Sequence, residues 1–118
     1  MALGSGATLY TNTALAATAT LVFTGRCGLC WYHLFNTTTA EAYVMFYDAA
    51  AAADVTVGTT TPTLCLAIHA ESGAGLGATV ASSIPFPIRF NKGLVVASVT
   101  AITGNTGSIT AVGLGITT

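Results

Sequence analysis

An all-β chain, folded as two packed antiparallel sheets in a jelly-roll-like sandwich with an extended N-terminal arm, is the fold class this sequence predicts. Three observations carry the prediction. Strand-like runs recur roughly every ten to fifteen residues between Gly, Pro and Asn turns. No apolar stripe with helical spacing reaches a useful length. The bulkiest side chains, Trp31, Tyr32, Phe35, Tyr43, Phe46 and Tyr47, fall in two adjacent runs, where they suit the core of a sandwich.

Residues 1–13 are small and polar, with no period that would set them on a core. They are expected to form an extended arm or first edge segment, leaving residues 14–118 as a single sandwich domain. Leu21-Val22-Phe23 is a short apolar strand, and Leu29 to Phe35 is rich in aromatic residues that fit a pleated, half-buried surface. Asn36-Thr37-Thr38-Thr39 ends that strand as a turn. From Ala42 to Tyr47, Tyr43, Met45 and Tyr47 lie on one side and Val44 and Phe46 on the other. Both sides are apolar, as in a central strand between two packed layers. Five alanines between Asp48 and Asp54 bury too little to hold a helix, so a loop with at most one helical turn is expected. Val55-Thr56-Val57 alternates and is read as a strand. A turn at Gly58 to Pro62 leads to another at Leu64, Leu66 and Ile68. Glu71 to Gly77 is a Gly-rich loop. Pro85 and Pro87 mark an edge or a strand entrance, since neither donates a ladder hydrogen bond. Leu94 to Ile102 and Ile109 to Ile116 complete the set, separated by Gly104-Asn105-Thr106-Gly107.

The 118 residues suit one domain. Three basic residues (Arg26, Arg89, Lys92) and four acidic ones (Glu41, Asp48, Asp54, Glu71) stand against 53% apolar residues, far fewer charges than the ordinary ~25%. Self-repulsion is therefore weak, and the expectation is a homo-oligomer or assembly subunit whose apolar faces are covered. Three scattered cations exclude a phosphate-binding footprint, hence no nucleic acid partner. No run reaches the ~20 apolar residues that span a bilayer, so no membrane partner is expected either. The N-terminus lacks the charged and apolar regions of a secretory signal, which predicts synthesis in a cytoplasm, where disulfides are rare.

Cys27-Gly28-Leu29-Cys30 followed by His33, with Cys65 and His69 beyond, is the sharpest local pattern. Thiolate and imidazole at such spacing can hold tetrahedral zinc. On strands, however, Cys30 points away from His33, and Cys65 and His69 stand ~13 Å apart along one face. Buried, packed cysteines are the expectation, with metal binding by Cys27, Cys30 and His33 the weaker alternative and a disulfide a third. A redox dithiol needs a helix after the second cysteine, and none is expected. The two histidines and few carboxylates are a thin supply for a hydrolase, and Glu41, Asp48 and Asp54 match no calcium loop, so they read as solvated loop acids. Gly73 to Gly77 has no Lys after it and reads as a connection, not a phosphate cradle. No enzyme activity and no cofactor are expected. The six clustered aromatics form a carbohydrate platform only if exposed.

Tyr32-His33-Leu34-Phe35-Asn36-Thr37, Ala42-Tyr43-Val44-Met45-Phe46-Tyr47-Asp48, Val55 to Leu64 and Phe90-Asn91-Lys92-Gly93-Leu94-Val95-Val96-Ala97 together resemble the small head-decoration, or cement, proteins of tailed bacteriophages. The likeness covers about residues 31 to 103, in order, and consists of strands and turns rather than a catalytic signature. It implies a sandwich or jelly-roll virion subunit, usually trimeric, that bridges major capsid protein subunits on the capsid surface and stiffens the filled head. The arm at residues 1–13 would then reach a neighbour. Leu9 and Tyr10, with Arg89 and Lys92 as candidates for an intersubunit ion pair in so uncharged a chain, are the expected interface residues. The Cys27 to Cys30 segment, the alanine run and the C-terminus depart from the family pattern. Tail, neck and fibre components use the same sandwich, so a virion component that binds a glycan through Trp31 or tyrosines is the alternative.

Overall fold

The computed structural model describes residues 7–70 and 77–118. They form β1 (Ala7–Leu15), β2 (Thr20–Thr24), β3 (Cys27–Asn36), β4 (Ala42–Asp48), β5 (Leu64–Ile68), β6 (Ala78–Phe90), β7 (Gly93–Val99) and β8 (Thr110–Thr117), with a single 3-10 turn at Ala52–Asp54. One four-stranded sheet runs β1-β8-β3-β6 and the other β2-β7-β4-β5. Every pairing is antiparallel: β1 with β8, β8 with β3 and β3 with β6 in one sheet, β2 with β7, β7 with β4 and β4 with β5 in the other. A chain doubled on itself at β4–β5 and then rolled, so that its two ends pair, yields this order. It is the jelly roll, with two Greek keys.

Alternation decides which side chains enter the space between the sheets. Leu29, Leu34, Phe90, Leu114 and Ile116 from one sheet meet Val44, Phe46, Ile68, Leu94 and Val96 from the other, all fully or almost fully buried. The two apolar sides expected of the Ala42 to Tyr47 run are both used, because β4 lies inside its sheet. Val44 and Phe46 enter the main core. Met45 and Tyr47 join Val95, Ala97 and Val99 in a second cluster on the outer face of the same sheet. That face is covered by the chain itself, through Ala17, Ala19, Ala49, Val55 and Val57. The Val55 to Val57 segment is consequently not a strand. It is a cover laid across β4 and β7, entered from the 3-10 turn that the alanine run forms.

Two further expectations are corrected. Residues 7–13 do not extend away from the domain as an arm: from Ala7 onward they are part of an edge strand, in register with β8 from Ala7 opposite Thr117 to Asn12 opposite Val112. Thr and Asn there hide the strand from composition, and only the distant partner at the other end of the chain makes it one. Residues 1–6, the rest of the expected arm, and residues 71–76 of the Gly-rich loop lie outside the described residues. The Leu94 to Ile102 run ends at Val99, and Ile102 is exposed in the following loop. The prolines do mark an edge: β6 is the last strand of its sheet.

Asp48 is more than a solvated acid. Its Oδ1 accepts the backbone N–H of Lys92 at 2.8 Å, closing the β6–β7 turn onto β4. Partial burial pulls its carboxyl up, but the N–H groups of Lys92, Asn91 and Gly93 and the Lys92 charge pull it further down, for a net lowering. A lowered folded-state value means stability that is present above the unfolded value near pH ~4 and lost as pH falls through the folded one. Asp48→Asn is expected to lower stability at pH 7 by about 1 kcal/mol, solvent limiting the effect, and to flatten the acid limb. Urea unfolding at pH 7 and pH 3 measures both.

Candidate functional site: an open apolar sheet face

Among the described residues, the outer face of the β1-β8-β3-β6 sheet has no loop cover of the kind that seals the other sheet. Across the strands its rows read Leu9, Gly115, Trp31, Ser83, then Thr11, Gly113, His33, Ala81, then Ala111, Phe35, Thr79. These three rows hold no Lys, Arg, Asp or Glu; a further row, Thr117, Gly28 and Arg89, puts one exposed charge on the face at its β6 edge. The glycines matter for space: a methyl group on Gly115 would stand 3.0 Å from Trp31 Cβ, and one on Gly113 3.4 Å from the far edge of the indole. Trp31 therefore lies across the bare backbone of β8. A groove of about 350 Å³ opens beside it, lined chiefly by Leu9, Thr11, Trp31, His33, Phe35 and Gly113. Leu9 is 66% exposed and Trp31 37%.

This corrects the placement of two aromatics. Phe46 and Tyr47 are core residues and Tyr32 packs against the core, but Trp31 and Phe35 stand on the outside. The reason is parity. Leu34 and Asn36 of β3 are buried, which sends Trp31, His33 and Phe35 to the opposite face. Tyr43 is half-buried at the second cluster, its hydroxyl donating to Glu41 Oε1 at 2.6 Å.

The expected ligand and interface residues do not converge. Cys27 is fully buried in the main core, where burial raises its thiol above the ordinary range. Cys30 occupies a bulge, and its Sγ donates to the Gly115 carbonyl at 3.3 Å. His33 is exposed on the outer face, so Cys27, Cys30 and His33 form no metal cage. No group of three His, Cys, Asp or Glu among the described residues is placed to hold a metal ion. The three cysteines are free thiols. His69 follows β5 and its Nδ1 contacts the Ala70 carbonyl at 3.0 Å. Of the expected interface residues, Leu9 lines the groove while its neighbour Tyr10 turns inward against the core. Arg89 lies on β6, at the opposite edge of the sheet from β1, and Lys92 is exposed in the turn that follows.

Sequence reasoning missed Phe86. It is 88% exposed, the most exposed large apolar side chain among the described residues. It sits where Leu29 pairs with Ile88 and Trp31 with Ser83, so that Ile84-Pro85-Phe86-Pro87 stands opposite Cys30 alone. The Pro-Phe-Pro spacing was the available signal: two prolines at an edge fix the backbone and expel whatever lies between them. No protein-family model matches this chain, no curated protein matches its sequence, and no solved structure matches it.

Proposed function

We propose that this chain is a virion structural protein that decorates the capsid of a tailed phage, bridging major capsid protein subunits as a homo-oligomer, with three copies as the expected number. The observation that carries the reading is the open outer face of the β1-β8-β3-β6 sheet, whose one charge among the described strand residues is Arg89 at the β6 edge, and which contrasts with the loop-covered face of the other sheet. A face with Trp31 and Leu9 exposed and a single charge, Arg89, at its edge is built to be covered. The resemblance across residues 31 to 103 and the jelly-roll topology, an architecture used by viral capsid domains, agree with that use as analogies of pattern and fold. A subunit of this kind stabilises a shell by touching several capsid proteins at once, so weak contacts add through avidity. No catalytic residue, cofactor, nucleic acid or membrane enters this reading. No helix among the described residues is long and apolar enough to cross a bilayer.

Mass measurement by light scattering, with and without expanded heads of the encoding phage, tests it. The expected result is an oligomer at micromolar concentration that binds heads at a fixed ratio. A dispersed monomer indifferent to heads contradicts it. Partial exposure of Trp31 favours one second reading, a tail, neck or fibre component that stacks a glycan on the indole. That reading predicts binding to cell-surface glycan and none to heads.

A further inference from the structure

Two exposed apolar features among the described residues lie at different places and are complementary in shape. One is the groove across β1, β8 and β3; the other is Phe86 on β6, the strand at the far edge of the same sheet. We infer that Phe86 of one copy inserts into the groove between Leu9, Trp31 and Phe35 of the next copy, joining protomers head to tail. This deepens the homo-oligomer in the function proposed above and names its contact.

Four observations argue for this occupant. Phe86 is held between Pro85 and Pro87 in a segment anchored on both sides, since Ile84 and Ile88 pack against the core and Pro87 lies close to Gly28. A ring presented this way loses little freedom on docking. A groove of about 350 Å³ is roomy enough for a phenyl side chain. The groove surface is mainly apolar, its polar groups being the Thr11 and Thr13 hydroxyls, the His33 ring and Asn12. Asn12, its one amide, is already engaged, its Nδ2 donating to the Tyr10 hydroxyl at 3.2 Å and its Oδ1 accepting the Ala14 N–H at 2.9 Å. An apolar ring needs no such groups. Finally, knob and groove are different parts of one sheet, β6 at one edge and β1, β8 and β3 across the rest, so the contact is heterologous: each copy gives one and receives one. Such contacts close into a ring when the rotation between copies permits and otherwise run on as a filament. The groove lining holds no Lys, Arg, Asp or Glu, so Arg89, the charge on the strand that carries Phe86, meets no like charge there.

Sedimentation of the full chain tests the contact. Wild type is expected to be a closed oligomer, and Phe86→Ala to dissociate on the order of tenfold more readily at each contact, as for a buried aromatic anchor. Phe86 is exposed, so its truncation leaves the fold intact, which circular dichroism checks. Leu9→Arg, on the receiving side, is expected to dissociate the oligomer likewise. Ile102→Ala removes another exposed apolar side chain, 58% exposed, and is expected to change nothing. A photoreactive phenylalanine at position 86 should cross-link to peptides from β1, β3 or β8 of a second copy. An oligomer that survives Phe86→Ala, cross-links confined to other segments, or a monomeric wild type overturns the contact. So does quenching of Trp31 fluorescence by free hexose oligosaccharides in a Phe86→Ala chain that is still oligomeric, an outcome that assigns the groove to a glycan. Oligomers that form through Phe86 but ignore heads leave this contact standing and remove the decoration reading instead.

Discussion

Asn36→Leu is expected to lower the unfolding free energy by about 3 kcal/mol or more, a large share of the 5–15 kcal/mol typical of a domain. Asn36 ends β3 and is fully buried. Its Nδ2 donates to the carbonyls of Ala40 at 3.0 Å and His69 at 3.2 Å, and its Oδ1 accepts the N–H and hydroxyl of Thr38 at 3.0 and 2.8 Å. One amide thus closes the β3–β4 turn and ties it to the residue after β5, joining the two sheets at one end of the sandwich. Leucine matches the volume but makes none of these four bonds, so the β3–β4 turn and its tie to the residue after β5 are lost together. Asn36→Asp keeps the shape and separates the causes. A carboxylate there faces two carbonyl oxygens, so its folded-state pKa lies above the ordinary value and the damage is greatest at neutral pH. It eases as pH falls through that raised value and the group takes up a proton. Denaturant unfolding of both variants at pH 7 and pH 4 tests this.

Gly93→Ala is the second large effect. A Cβ at Gly93 would stand 2.6 Å from the carbonyl oxygen of Ala49 and 2.7 Å from that of Phe23. Both obstacles are backbone, one from β2 and one from the residue after β4, and the Ala49 N–H is bonded to the Gly93 carbonyl at 3.2 Å. Nothing flexible can move aside, so the start of β7 must separate from its neighbours. A loss of about 3 kcal/mol or more follows, with a melting temperature lower by roughly 10–20 °C. Gly25→Ala is the control. Its φ is 102° but a Cβ there meets nothing within 4 Å, so only the conformational cost of about 1–2 kcal/mol is expected. Equal losses at the two positions would show that the close approach at Gly93 does not carry the effect.

Much of the sandwich is legible in the sequence because the side-chain period of two is local. Val44 and Phe46 against Met45 and Tyr47, Pro85 and Pro87 at an edge, and the turn at Asn36 all follow from neighbours in the chain. β1 does not, because Thr8 to Ala14 becomes a strand only by pairing with Thr110 to Thr117. Val55 to Val57 carries a strand's alternation, yet its valines are used as a lid on β4 and β7. The site was least legible. Both faces of β3 are rich in large side chains, so the run from Leu29 to Phe35 cannot say which face meets the core. The burial of Leu34 and Asn36 decides it, and Trp31 goes outward. The groove draws on β1, β3 and β8, segments far apart in the chain, and the space beneath the indole comes from two glycines whose meaning depends on that pairing. Phe86 was within reach of the sequence, since the prolines that predict the edge also predict the exposure of the residue between them.

A reconstruction of the encoding phage's mature head with this protein bound tests the central claim most directly. The account predicts closed oligomers seated over junctions between major capsid protein subunits, at a fixed number per head, with Phe86 of each protomer in the Trp31 groove of the next. Density for the protein only at the tail, or as single copies with the β1-β8-β3-β6 face open to solvent, would contradict it.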